Sequence, residues 1–302
     1  VGDADQLESV GAGDVFHQMI ESKLVPVTVL DEIFRQAKDS PIPYNAKYIH
    51  DGVTDLRYSK DYFDFIPAKT QEETAEQICG LYLKEVKASG IEQVQILSPF
   101  RSRGDASANQ LNQVIREAVN PPADDKPEIS RGGITLRLYD KVMQKENDSS
   151  ILMRDAKGNF LSRGVFNGEV GQIRAIRKGI VLINFDGRYA EYSMENLDEL
   201  ELAYATTVHK AMGSEYDTII LPLLVAHKIM LDRNVFYTAV TRAKRRVLLV
   251  GQKKALFMAI CSQRAGRRNT LLAERMQAYY KSQAVKSAEG QRTDLPDIRR
   301  AS

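Results

Sequence analysis

Two short apolar runs limit what this chain can fold into. Residues 218–224 (TIILPLL) and 246–250 (RVLLV) are too short for buried helices and rich in β-favouring side chains, so each is expected to be a buried strand. Each follows a polar segment. Residues 206–215 (TTVHKAMGSE) carry Thr, His, Lys, Ser and Glu in close order. Residues 236–246 (FYTAVTRAKRR) read as a helix running into a strand. Polar groups at the ends of buried strands are how open sheets with flanking helices build nucleotide and phosphate sites, so the expected fold class is α/β.

Bulk properties exclude more than they assign. The 302 residues, 43% apolar, suffice for ordinary globular cores in one to three domains. A net charge of +2 argues no nucleic-acid partner by itself; only local patches can show one. Cys79 and Cys261 stand far apart with no CxxC, which speaks against a disulfide framework or a zinc site and for a reducing cytoplasm. The apolar runs are too short to span a bilayer, and no signal-peptide pattern is visible. The chain starts with Val at what reads as the end of a strand, so a fragment of a longer protein is expected.

Along the chain, Asp14 is a candidate N-cap for a helix over 15–22, and 25–30 reads as a strand leading into a helix over 31–36. A short helix closed by Gly52 is expected over 40–52. Residues 70–89 are an amphipathic helix with Glu72, Glu73 and Glu76 early and Lys84 and Lys87 late, the order the helix dipole favours, with Cys79 on its buried face. Gly90 ends it and a strand follows over 94–97. Ser98, Arg101 and Arg103 then stand at a strand's carboxyl end, where phosphate contact and plain solvated charge are equal readings. Residues 124–131 look like a linker. From Leu136 short strands alternate with turns, with Asn167-Gly168 and Asp186-Gly187 as the best hairpin signals. Such spacing predicts a small β-barrel with Val142, Phe166, Ile173, Val181, Ile183 and Phe185 in its core. A helix is expected over 253–261 and another over 271–281, capped by Asn269 or Thr270. Arg264, Arg267 and Arg268 read as a solvated turn, and the polar stretch 282–302 as disordered.

The motif segments carry a resemblance. TTVHKAMGSEYDTIILPL and NVFYTAVTRAKRRVLLVG resemble motifs V and VI of superfamily 1 helicases, RecD/TraA-like DNA helicases above all. GDADQLESVGAGDVF resembles their motif III, and VLDEIFRQAKDSPIPYNAKYIHDG their motif IV. The matches come in the family's order and fade after about Tyr280. The resemblance implies a RecA-like parallel sheet flanked by helices, with an inserted small β-barrel of Src-homology type. Residues 1–24 would be a remnant of the first RecA-like domain, 25–130 and 198–281 the second, 131–197 the barrel and 282–302 a disordered tail. The implied parent is an ATP-dependent DNA helicase moving 5′→3′ on single-stranded DNA, using ATP and Mg2+. Its implied partners are single-stranded DNA, the N-terminal RecA-like domain of the same protein, and a nuclease or repair complex, with no membrane.

By the same resemblance, Gln6 contacts the γ-phosphate or its attacking water, and Asp3 relays nucleotide state. The strand-plus-acid look of VTVLDE is rejected as a magnesium site, because in the family that acidic pair precedes motif III. Asp31 and Glu32 read instead as a first-turn acidic pair. Arg35 and Arg242 are the cations that reach the phosphates, Arg242 as the arginine finger. Glu215 positions the motif V loop or bonds the ribose, and Gly213 supplies close backbone approach or positive φ. Thr207 and His209 hold DNA, with Lys210 adding charge. Ser98 and Arg101 join them as DNA-binding candidates, while Lys244, Arg245 and Arg246 read as strand-edge charges. Many relatives carry Ser-Gln where this chain has Ala211-Met212, so contacts made by those side chains do not transfer. No GxxxxGK[ST] occurs, so the chain alone is expected to lack ATPase activity and to hold no cofactor or metal. A non-catalytic single-strand-binding module and a subunit donating an arginine finger are the rival readings.

Overall fold

The computed structural model describes residues 2–7, 11, 13–29, 40–262 and 270–293, with side chains to 283. It divides into two units, one of residues 1–34 with 265–302, the other of residues 35–264. The first begins with α1 (Val15–Ser22). Asp14 stands at its N-cap position, but its carboxylate bonds His17 Nδ1 at 3.0 Å instead of capping a backbone N–H.

In the second unit the order is α2 (Ile42–Asp51), β1 (Phe63–Pro67), α3 (Gln71–Ser89), β2 (Val94–Ser98) and α4 (Ala108–Val119). Then come β3 (Glu128–Arg131), β4 (Ile134–Arg137), β5 (Lys141–Gln144), β6 (Asp148–Arg154), β7 (Phe160–Val165), β8 (Val170–Arg177), β9 (Ile180–Phe185), β10 (Arg188–Tyr192) and β11 (Leu200–Leu202). The unit closes with β12 (Ala205–Thr207), β13 (Tyr216–Leu223), α5 (Arg233–Val240), β14 (Ala243–Gly251) and α6 (Lys253–Cys261). A capping box starts α3. Thr70 accepts from Glu73 N at 3.1 Å while the Glu73 carboxylate accepts from Lys69 N, and Gly52 ends α2 at φ +76°.

A parallel sheet runs β1-β14-β13-β2-β12. Its central strands are buried on both faces, which is why 218–224 and 246–250 read as unbroken apolar runs. Ile78 and Tyr82 of α3 and Leu111 and Ile115 of α4 share a core with Ile96, Ile220 and Leu248. Leu221 and Leu223 alternate to the other face, beside Phe236 of α5 and Ala259 of α6.

Between α4 and β12 the chain leaves this sheet to build an antiparallel one, β11-β5-β8-β9-β10-β6-β7, with the β3–β4 hairpin beside it. Ile129, Ile134 and Leu136 of the hairpin join Val142, Ile173, Val181, Ile183 and Phe185 in a single core. Asp186 (φ +51°) and Gly187 (φ +81°) make the expected two-residue turn between β9 and β10.

Several expectations fail here. The insertion spans 128–202 rather than 131–197, because 128–131, read as linker, pairs with β4. Asn167-Gly168 is a turn but no hairpin, since β7 and β8 are not neighbours in the sheet. Phe166 lies in that turn, 52% exposed, outside the core. Residues 25–29 form no strand and are exposed, and residue 30 and the expected helix over 31–36 lie outside the described residues. The final helix, α7 (Leu272–Thr293), belongs to the first unit rather than to the second RecA-like domain. It packs on α1, with Gln18 Oε1 accepting from Ala273 N and Ser22 O from Gln277 Nε2, both at 3.1 Å. The helix also runs on through residues expected to be disordered: its Ala, Gln, Lys and Glu content favours continuation past 282. Among the described residues no helix is long and apolar enough to cross a membrane.

Candidate functional site

The segment 208–215 is the connection between two parallel strands. β12 ends at Thr207, level with Ser98 at the carboxyl edge of β2, whereas β13 starts at Tyr216 beside Ala243 at the amino edge. Residues 208–215 therefore traverse the sheet from one edge to the other within a few residues. Side chains read as DNA-binding stand at its start, and those read as nucleotide-facing stand at its end.

At the amino edge, Arg242 follows α5 and is 7% exposed. Its guanidinium donates to Ser214 O at 3.3 Å and to Thr238 O at 3.4 Å, and its own carbonyl accepts from Tyr216 N at 2.9 Å. These neutral acceptors orient the fork and tie it to the end of the motif V segment. Glu215 is exposed beside Lys244, at 4.0 Å. Gly213 has φ +85°, and a Cβ there would meet nothing within 4 Å, so the backbone is open to approach from outside. Arg245 and Arg246 pair with Glu85 of α3, which is 3% exposed, so they are structural partners of a buried carboxylate.

At the carboxyl edge a cleft of about 780 Å³ opens between α4, the hairpin, β11 and β12. Thr207 and Lys210 line it from the motif V side, Arg101 from the loop after β2, and Lys145 from the insertion. Its charge is not uniformly positive. Glu201, on β11, accepts from Arg101 Nη2 at 3.1 Å and from Lys210 Nζ. His209 is exposed at the start of a 3-10 turn, and partial desolvation lowers its pKa, so the ring is neutral at neutral pH. Ser98, expected to bind DNA, is instead fully buried, and its hydroxyl donates to Ala106 O at 2.8 Å with Phe100 O 3.0 Å away, shaping the loop.

In the other unit, Asp3 accepts from Asp5 N at 3.0 Å and from Gln6 Nε2 at 2.9 Å, a local turn that orients Gln6. Arg35 lies outside the described residues, as do Asp31 and Glu32 and the turn with Arg264, Arg267 and Arg268.

Sequence reading missed the joint that holds the motif V strand. Asn112 of α4 donates to Leu202 O (3.0 Å) and Ala205 O (2.9 Å) and accepts from Ala205 N (2.8 Å), acting as a partner strand for the sheet edge. Asp140, fully buried, accepts from Arg116, Asn120, Tyr204 and Arg137 N at 2.8–3.1 Å. Lys141 buries its ammonium group against Val94 O (2.8 Å) and Gln95 Oε1 (2.9 Å), and desolvation, offset in part by Glu92, pushes its pKa down to about 7. Only the run of polar residues on α4 hinted at this.

Comparison with known proteins agrees with this architecture. Family models match as UvrD-like helicase C-terminal domain over 202–250, ATP-dependent RecD-like DNA helicase SH3 domain over 111–185, and AAA domain over 1–64. An ATP-dependent RecD2 DNA helicase of Deinococcus radiodurans is 31% identical over 284 residues, 92% of this chain and 36% of that protein. A RecBCD enzyme subunit RecD of Mycolicibacterium smegmatis is 34% identical over 96 residues, 32% of this chain and 17% of that one. A Pif1 helicase from Candida albicans is a distant structural likeness at 16% identity and a TM-score of 0.43, covering 84% of this chain and 60% of the other. The fold and the matched motifs define a superfamily 1 helicase chain. Within that superfamily it is RecD-like, as the inserted barrel and the match along nearly its whole length show. The chain spans about a third of the length of the Deinococcus relative.

Proposed function

We propose that this chain is the lid half of an ATP-dependent DNA helicase, carrying the second RecA-like domain and its inserted barrel. The observation that carries the reading is the path of 208–215, which joins Thr207 and Lys210 at one sheet edge to Arg242, through Ser214 O, at the other. ATP with Mg2+ supplies the free energy of phosphoanhydride hydrolysis when bound. Arg242 fits the cation role, because its planar fork is already oriented by carbonyl acceptors, and Gly213 beside it leaves room for backbone approach. With no GxxxxGK[ST] in the sequence, the phosphate cradle must come from another domain, and the chain alone hydrolyses no ATP.

Thr207 and His209 hold single-stranded DNA with Lys210 and Arg101 on its phosphates. A pull on Arg242 is passed by the Ser214 carbonyl into the strand-gripping end of the same segment, converting domain closure into a step. Travel is 5′→3′ by family likeness alone, and the matching surface for closure is the N-terminal RecA-like domain. The test is Arg242→Ala in the full-length protein. ATPase turnover should fall by on the order of a thousandfold while single-strand affinity stays within a few-fold; near-normal turnover sinks the assignment. Salt-dependent single-strand binding by a full-length protein that shows no ATPase turnover would favour the non-catalytic binding module instead.

A further inference from the structure

Glu201 gathers two cations on the wall of the cleft. It ends the antiparallel sheet as part of β11, and its two oxygens take two cations from elsewhere: Oε2 from Arg101, in the loop after β2, and Oε1 from Lys210, inside the motif V segment. Arg101 and Lys210 come from a loop and a turn far apart in sequence, yet converge on one carboxylate on the wall of the cleft. Glu201 and Lys210 are each about a quarter exposed and Arg101 is 61% exposed, so the arrangement is open to replacement from the cleft side.

The barrel also touches this segment elsewhere. A Cβ on Gly168 would lie 3.1 Å from the Lys210 carbonyl oxygen, so the Phe166–Glu169 turn lies directly against the backbone that carries Lys210. Thr206 Oγ1 lies 3.9 Å from Met143 Sδ of β5. The Asp140 cluster and the Asn112 clamp fix β12 independently of Glu201. Losing the Glu201 contacts therefore frees two cations without releasing the strand.

We propose that Glu201 is an internal phosphate surrogate, a carboxylate from the barrel that holds Arg101 and Lys210 in place on the cleft wall and is displaced when a single strand's phosphates enter. This deepens the reading of the cleft as a nucleic-acid site and rests on it. The physical consequence is a built-in competitor. Each phosphate contact to these cations requires an ion pair to break and leaves the carboxylate's negative charge beside the strand, which weakens binding and flattens its salt dependence by cancelling part of the charge the cations present.

The experiment is fluorescence anisotropy with a labelled oligo-dT across a series of salt concentrations, comparing the unaltered chain with Glu201→Gln, Lys210→Gln and the double variant. Glu201→Gln keeps the shape and the capacity to bond but removes the charge. It should tighten binding by roughly three- to tenfold at low salt and steepen the log–log salt slope by up to about 0.7, the change expected for one net charge. Lys210→Gln should weaken binding, and the double variant should lose most of the gain. If Lys210→Gln weakens binding while Glu201→Gln leaves affinity and slope unchanged, the surrogate is refuted and the cleft reading stands. If Glu201→Gln weakens binding, the carboxylate is a support for the site and the surrogate is again refuted. If none of the chains binds the oligonucleotide, both the cleft and the surrogate fall.

Discussion

Lys141 makes the joint between the barrel and the parallel sheet measurable by pH. Its side chain is almost wholly buried, with its nitrogen on Val94 O and Gln95 Oε1 and 5.6 Å from the Tyr216 ring. Desolvation pushes its pKa from 10.5 to about 7. Between those values the unfolded chain holds the proton and the folded chain has released it, so the unfolded state binds more protons and stability rises with pH. Integrating the difference from pH about 7 to about 9 gives about 2 kcal/mol from this one group. Lys141→Met keeps the length and removes the titration. It also leaves two acceptors without their donor, a cost that is the same at both pH values. Urea unfolding followed by far-UV circular dichroism, run on both proteins at the two pH values, isolates the term, since every other titrating group is common to both. The unaltered chain should gain about 2 kcal/mol more than the variant on going from the lower to the higher pH. Parallel behaviour of the two proteins would show that Lys141 is solvated or paired in a way this joint does not allow.

Two further predictions test neighbouring groups. Asp140→Asn leaves Arg116 buried without its counter-charge and should cost roughly 3–5 kcal/mol in urea unfolding; a loss under 1 kcal/mol would mean that the cluster does not hold the barrel to α4 and β12. His227 is 1% exposed, packed edge-on to Phe100 at 5.1 Å, and burial pushes its pKa down to about 4. The unfolded state therefore binds the extra proton below the ordinary value of 6.5, and stability should fall as pH drops from there toward 4, by up to about 3 kcal/mol. His227→Leu should flatten that acid limb in thermal melts, and an unchanged acid limb would contradict the burial.

What the sequence disclosed was local. The strands over 218–224 and 246–250, the helix over 70–89, the turn at Asp186-Gly187 and the positive φ of Gly213 all depend on neighbours a few residues away, and all are present. What stayed hidden depends on distant partners. Ser98 reads as an exposed polar end until the loop to Ala106 closes over it. Glu201 reads as one more charge in a returning strand until Arg101 and Lys210 arrive from either side. Asp140 gives no sign that α4 and Tyr204 will surround it, and Asn167-Gly168, a hairpin signal by composition, instead sets a turn against the motif V backbone. Residues 25–29 have the composition of a strand, but among the described residues no strand pairs with them.

The central claim is that one short segment links the strand-holding edge of the sheet to the nucleotide-facing edge. The most direct measurement is amide hydrogen exchange on this chain with and without a saturating oligo-dT. Protection should appear at Thr207–Gly213, along the α4 wall of the cleft and at the Arg101 loop, and should reach Ser214–Tyr216, whose amides lie beside Arg242 at the opposite edge. Protection confined to α1 and α7, or none along 207–216 under conditions where the oligonucleotide is bound, would contradict it.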